Sequence, residues 1–138
     1  MKKPAGLTSI TLNKARPTVK QEEKTVANKI MKNIDMATPL SLTALVTYQT
    51  GQIVSRTLVQ NRSVSLTLFA FDTNEEISSH ESKGDAMVQI LDGKAKITIG
   101  EGTYFLSAGE TVVMPAGVPH ALEAVEPFKM LLTVVFPN

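Results

Sequence analysis

From Leu42 onward the chain alternates short apolar runs with clusters of turn-forming residues. Thr50-Gly51, Asn61-Arg62-Ser63, Asp72-Thr73-Asn74, Lys83-Gly84-Asp85, Asp92-Gly93, Gly100-Glu101-Gly102, Ala108-Gly109 and Pro115-Ala116-Gly117 leave segments only long enough for strands. Between them, Val64, Leu66, Leu68 and Ala70 fall on one strand face and Ser65 and Thr67 on the other. Ala95, Ile97 and Ile99 alternate in the same way with Lys94, Lys96 and Thr98. Each pattern predicts a half-buried antiparallel strand. Asp92-Gly93, between residues 87–91 and 94–99, predicts a hairpin, because a type I′ turn needs positive φ at both central residues and Asp-Gly tolerates it. Residues 128–136 are apolar on both faces, with Phe128, Met130, Leu132, Val134 and Phe136 on one and Leu131 and Val135 on the other. Such a strand is expected to be covered by a second sheet on one side and by the N-terminal arm or another subunit on the other. This rhythm of strands and turns predicts an all-β sandwich or barrel.

The first third reads differently. Pro17-Thr18 followed by Gln21 resembles a capping box, and Val19, Val26, Ile30 and Ile34 recur at helical spacing, which predicts a helix over roughly residues 19–33. The expected division is a short, partly helical N-terminal extension over 1–34 and a β-barrel domain over 35–138. Charge follows the same division. The net charge is +1, but residues 1–33 hold eight Lys/Arg against two acids, and residues 34–138 hold six against eleven. Without aromatic interleaving or a dense basic block, the extension reads as a solvated arm against an acidic body and not as a nucleic-acid site.

At 138 residues, 43% hydrophobic and 20% charged, the chain suits one domain with a real core. It has no cysteine, which removes disulfides, thiolate nucleophiles and sulfur-ligated zinc. The start, Met1-Lys2-Lys3-Pro4, carries the charge of a secretory leader, but Thr8, Ser9, Thr11 and Asn13 interrupt any apolar run. No stretch approaches bilayer-spanning length, so no membrane partner is expected and the cytoplasm is the expected compartment.

Candidate chemistry is confined to the chain's two histidines, His80 and His120. Gly109 and Gly117 tolerate backbone angles that other residues resist, and Pro115 stiffens the approach, so together they can aim His120 from a strand end into a cavity. Gly109, five residues, Pro115, one residue, Gly117, two residues and His120 resemble the second motif of the cupin family. The Asn often found further along that motif is Ala124 here. Upstream, His80-Glu81-Ser82-Lys83-Gly84-Asp85-Ala86 and the run to Gly93 resemble the first cupin motif. The resemblance covers roughly residues 40–136 and implies a double-stranded β-helix, or jelly-roll, barrel that commonly forms a homodimer.

Metal-binding cupins present four protein ligands, and the resemblance places them at His80, Ser82, Ala86 and His120, of which only the histidines suit a metal. A divalent Fe, Mn, Ni, Cu or Zn ion would therefore rest on His80, His120 and water. Glu81 and Gln89 have the wrong strand parity to help, and Asp85 would need a bulge. Met87, Met114 and Met130, with Phe69, Phe71, Tyr104, Phe105 and Phe128, are expected mostly in the core, a subset lining an apolar pocket. Glu75, Glu76 and Glu81 read as a solvated rim, and Gly100-Glu101-Gly102 as a hairpin turn.

The leading functional reading is a small organic ligand, with or without a metal, held around His80 and His120. Three alternatives stay open beside it. One is a metal-dependent oxygenase or isomerase acting on a small acid or sugar-like molecule. Another is general acid and base catalysis by the imidazoles themselves. The last is a partner-binding role for the closing strand and basic arm.

Overall fold

The computed structural model describes residues 30–138, and Leu40–Asn138 forms one compact unit. The helix expected over 19–33 lies outside the described residues except at its end, where none of residues 30–33 is helical. Asn33 there has a φ of 60°, incompatible with a right-handed helix. Among the described residues no helix is long and apolar enough to cross a membrane.

A 3-10 turn at Leu42–Leu45 precedes seven strands: β1 (Ile53–Gln60), β2 (Val64–Phe71), β3 (Glu76–His80), β4 (Asp85–Ile99), β5 (Gly102–Ser107), β6 (Thr111–Met114) and β7 (His120–Val135). All pairings are antiparallel. The two long strands, β4 and β7, pair along most of their lengths and each serves two sets of neighbours. The first half of β4 pairs with β6 and the second half of β7 with β2, giving the order β1-β2-β7-β4-β6. Their other halves pair with β5 and β3, giving β3-β7-β4-β5. One continuous sheet thus curls on itself and closes around a core that includes Phe71, Val88, Ile97, Met114, Phe128 and Met130.

The curl occurs at Asp92-Gly93, which does not form the expected hairpin but lies inside β4. The register slips between Ile90 and Asp92 and again between Gly93 and Ala95, the mark of a bulged strand. Gly93 has a φ of 77°, and a Cβ there would overlap the Pro127 carbonyl oxygen of β7. Asp-Gly signals positive φ, which serves a bulge as well as a turn. What decides between them is the long-range pairing with β7, where Pro127, lacking an N–H, breaks the ladder at the same place.

The two faces of β2 are also reversed from the simplest expectation. Its register sets Phe69 against Met130 and Phe71 against Phe128, so these aromatics face the core together with Ser65 and Thr67. The rings of Phe71 and Phe128 stack with centroids 4.4 Å apart. The stripe of Val64, Leu66, Leu68 and Ala70 lies on the outside, where Leu68 and Ala70 are nevertheless buried.

Residues 43–48 pass over that outer face. Arg56 of β1 donates to the Leu45 carbonyl at 2.8 Å, and Lys129 of β7 to the Thr43 carbonyl at 2.6 Å. The Tyr48 hydroxyl donates to Asp92, and the Lys129 ammonium sits 5.0 Å from the Tyr48 ring centroid. Burial raises the Tyr48 phenol well above its ordinary value, and the neighbouring Asp92 adds to the shift. Residues 43–48 thus cover this part of β7, whereas Val135, on the same outer face, is exposed. Two other residues expected in the core, Tyr104 and Phe105, are 48% and 56% exposed on the edge strand β5.

Candidate functional site

His80 ends β3 and His120 begins β7, and the two are paired partners across the sheet. A bulge makes this possible. Ile77 and His80 are three positions apart and would face opposite sides of a regular strand, whereas their partners Leu122 and His120 are two apart and share a side. The extra residue at Ser78-Ser79 restores the parity and turns His80 to the same inner face as Ile77. The register then continues from His120 to Ile99 of β4 and from Ile99 to Gly102 of β5. His80, His120, Ile99 and Gly102 thus form one row across the end of the β3-β7-β4-β5 half of the barrel.

The imidazoles meet edge to face, with ring centroids 4.4 Å apart. His120 is 3% exposed and His80 is exposed, so the pair runs from the barrel wall out to its mouth. Each Nδ1 faces a backbone carbonyl two residues earlier, His80 that of Ser78 at 3.0 Å and His120 that of Val118 at 3.3 Å. A nitrogen facing a carbonyl must carry a proton to bond it, so each neutral ring keeps its lone pair on Nε2. Both rings therefore offer an acceptor, and neither has a second donor unless it is protonated.

Loops on both sides hold this arrangement. The turn before His120 is tied to the loop after His80 by Ala116 N–H donating to Asp85 Oδ1 and Gly117 N–H donating to the Ser82 carbonyl, each at 2.9 Å. Gly117 adopts a φ of 77°, the positive angle its motif position was expected to need. Gly100 N–H donates to the Pro119 carbonyl at 2.8 Å, joining the β4–β5 hairpin to the same turn. Asp85 does not turn inward. It pairs with Val135 on the outer face and positions the mouth from outside, as a bonding partner of the turn.

Burial pushes the His120 pKa below its ordinary 6.5, the neighbouring His80 pushes the same way, and the Val118 carbonyl opposes both. A lowered folded-state pKa means that, below pH 6.5, the unfolded chain binds protons that folded His120 refuses. Stability from this group is complete above 6.5 and declines as pH falls from there towards the folded value. Denaturant melts at about pH 7.5 and about pH 5 are expected to show a smaller acid loss in His120→Gln than in the unsubstituted protein. Equal losses would contradict this origin of the shift.

Residues 67–136 match the family model of the cupin domain. The chain belongs to the cupin family. Similar solved structures include a conserved protein of unknown function from Streptococcus pyogenes, 51% identical, covering 80% of this chain and 96% of that one with a TM-score of 0.78. A cupin superfamily protein from Desulfitobacterium hafniense is 32% identical over 78% of this chain and 98% of its own, with a TM-score of 0.74. An uncharacterized protein of Streptomyces coelicolor is 29% identical over 79 residues, 57% of this chain and 75% of that protein.

The mouth of this cupin does not carry the four-ligand metal set that the family resemblance implies. Ser82 Oγ accepts a hydrogen bond from Gly84 N–H at 3.1 Å, and Ala86 is buried in the core opposite Met114 and Val134. Among the described residues no group of three or more His, Cys, Asp or Glu side chains is placed to hold a metal ion. Two imidazole acceptors, an apolar neighbour in Ile99 and hydrogen-bonded loops are what the mouth presents. Ile99 and Gly102 escape a reading of the sequence because only the cross-strand register brings them beside the histidines.

Proposed function

We propose that this cupin binds a small organic molecule at the barrel mouth through the Nε2 atoms of His80 and His120, without converting it. The observation that carries the reading is the in-register pairing of the two histidines from strand ends 40 positions apart in the chain, held by the bulge at Ser78-Ser79. The hydrogen bonds of both rings within the described residues run through Nδ1, so neither Nε2 is satisfied by them. An apolar wall with a few convergent polar groups is the usual composition of a small-molecule site.

Thermal shift across a panel of small organic molecules tests this. A ligand at about 100 times its dissociation constant stabilises by about 2.7 kcal/mol, a rise in Tm of roughly 10 °C or more for a domain of this size. The rise is expected to vanish in His80→Ala and in His120→Gln, and no product should accumulate. A shift unchanged in both variants would contradict the site, and turnover would contradict the non-catalytic reading. A second reading, a metal-dependent enzyme of the oxygenase or isomerase type, draws on the same two Nε2 atoms. It has two protein donors where the family pattern has four, and metal content of protein purified without chelators separates it from the first.

A further inference from the structure

The row that holds the histidines ends at Gly102, and this glycine has no conformational reason to be one. Its neighbour Gly100 has a φ of 59° in the hairpin turn, but Gly102 is not among the positive-φ residues. What a side chain at Gly102 would meet is Tyr104. A Cβ built there would lie 2.5 Å from the Tyr104 hydroxyl oxygen and 2.8 Å from Cζ. A glycine inside a strand often marks a place where another group approaches closely, and here that group is a phenol from the same strand.

The register fixes which side this is. Tyr104 pairs with Ile97, which is fully buried in the core, so it projects from the inner face of β5. Strand side chains lean along the strand, and Tyr104 leans back over Gly102 towards the mouth, which brings its hydroxyl into the row of Ile99, His120 and His80. The ring is 48% exposed, so this inner-face aromatic is open to the solvent that a ligand would displace. Across the mouth the order is phenol hydroxyl, Ile99 side chain, imidazole pair: polar, apolar, polar.

We propose that Tyr104 is the second polar contact of this ligand site, and that the site selects short molecules bearing a hydroxyl at each end of an apolar chain. The inference rests on the ligand-site reading above and deepens it. Two strand spacings of about 4.8 Å separate Gly102 from His120, which suits a chain of about four to six heavy atoms with a hydrogen bond at each end. The neutral imidazoles have spent their Nδ1 protons on the Ser78 and Val118 carbonyls, so the end at the histidines must donate. A hydroxyl does so, and a carboxylate does not. Tyr104 can donate or accept, and so takes the other hydroxyl in either sense.

Three probes test this: 1,4-butanediol, 1-butanol and butyrate, titrated at about pH 7.5 and followed by the ring 15N signals of His80 and His120 and the methyl signals of Ile99. The diol is expected to bind about fivefold more tightly than the mono-alcohol, the effect of one net hydrogen bond, and butyrate most weakly. Tyr104→Phe removes only the hydroxyl and is expected to erase the diol preference, so that 1,4-butanediol binds no more tightly than 1-butanol. Gly102→Ala, which pushes the phenol aside, is expected to do the same with Tyr104 intact. A diol preference that survives Tyr104→Phe overturns the role of Tyr104 while the histidine site stands. Histidine signals that respond to none of the probes overturn the ligand site and this inference with it.

Discussion

Gly93→Ala is expected to destabilise the protein by about 2–5 kcal/mol, combining roughly 1–2 kcal/mol for an L-residue at positive φ with about 1–3 kcal/mol for forced overpacking. The φ is 77°, and the added methyl would overlap the Pro127 carbonyl on β7. For a domain of about 100 residues this lowers Tm by roughly 10 °C or more. Gly109→Ala is the control. Its φ is 92°, yet nothing lies within 4 Å of the added Cβ, so only the backbone component of about 1–2 kcal/mol is expected. Thermal melts of the two variants thus separate strain from clash, and equal losses would show that β7 does not press on the bulge.

Phe128→Ala is expected to cost about 3–5 kcal/mol, the range for deleting a fully buried aromatic. Phe128 is 0% exposed, stacks on Phe71 and pairs with Gly93, so it packs at the bend itself. Urea denaturation should show a lower midpoint with an unchanged slope, as for a cavity in an otherwise intact core. Phe69→Ala removes a ring of the same size from a partly exposed position beside Phe71, and a smaller loss is expected there. A loss at Phe128 no larger than at Phe69 would contradict the placement of the core. The double variant of Gly93 and Phe128 is expected not to be additive, because the two residues are paired partners.

These two residues mark the boundary of what the sequence can disclose. The all-β architecture follows from turn chemistry at strand-length intervals, and the Gly100-Glu101 hairpin follows from local residues alone. Asp92-Gly93 misleads because its local signal, positive φ, is common to a turn and a bulge, and the choice belongs to Pro127 on a distant strand. In β2, alternation shows which residues share a face but not which face looks inward. Because residues 43–48 cover the outer side, the stripe of Leu68 and Ala70 resembles a core stripe.

The site was legible to a different depth. Gly109, Pro115, Gly117 and His120 keep a spacing whose geometry is local, and His80 stands at the matching place upstream. Their meeting is not local. It requires the bulge at Ser78-Ser79, which ordinary period-two reading of the strand does not reveal. Tyr104 looked like a core aromatic because its type is usually buried, and only its position on an edge strand beside Gly102 leaves it half exposed.

The central claim is that His80 and His120 act on one bound molecule. A high-resolution crystal structure of the protein with the strongest stabilising ligand tests it most directly. The expected result is ligand density within hydrogen-bonding distance of both Nε2 atoms, beside Ile99. Density that leaves both imidazoles untouched, or rings turned into separate environments, would contradict it.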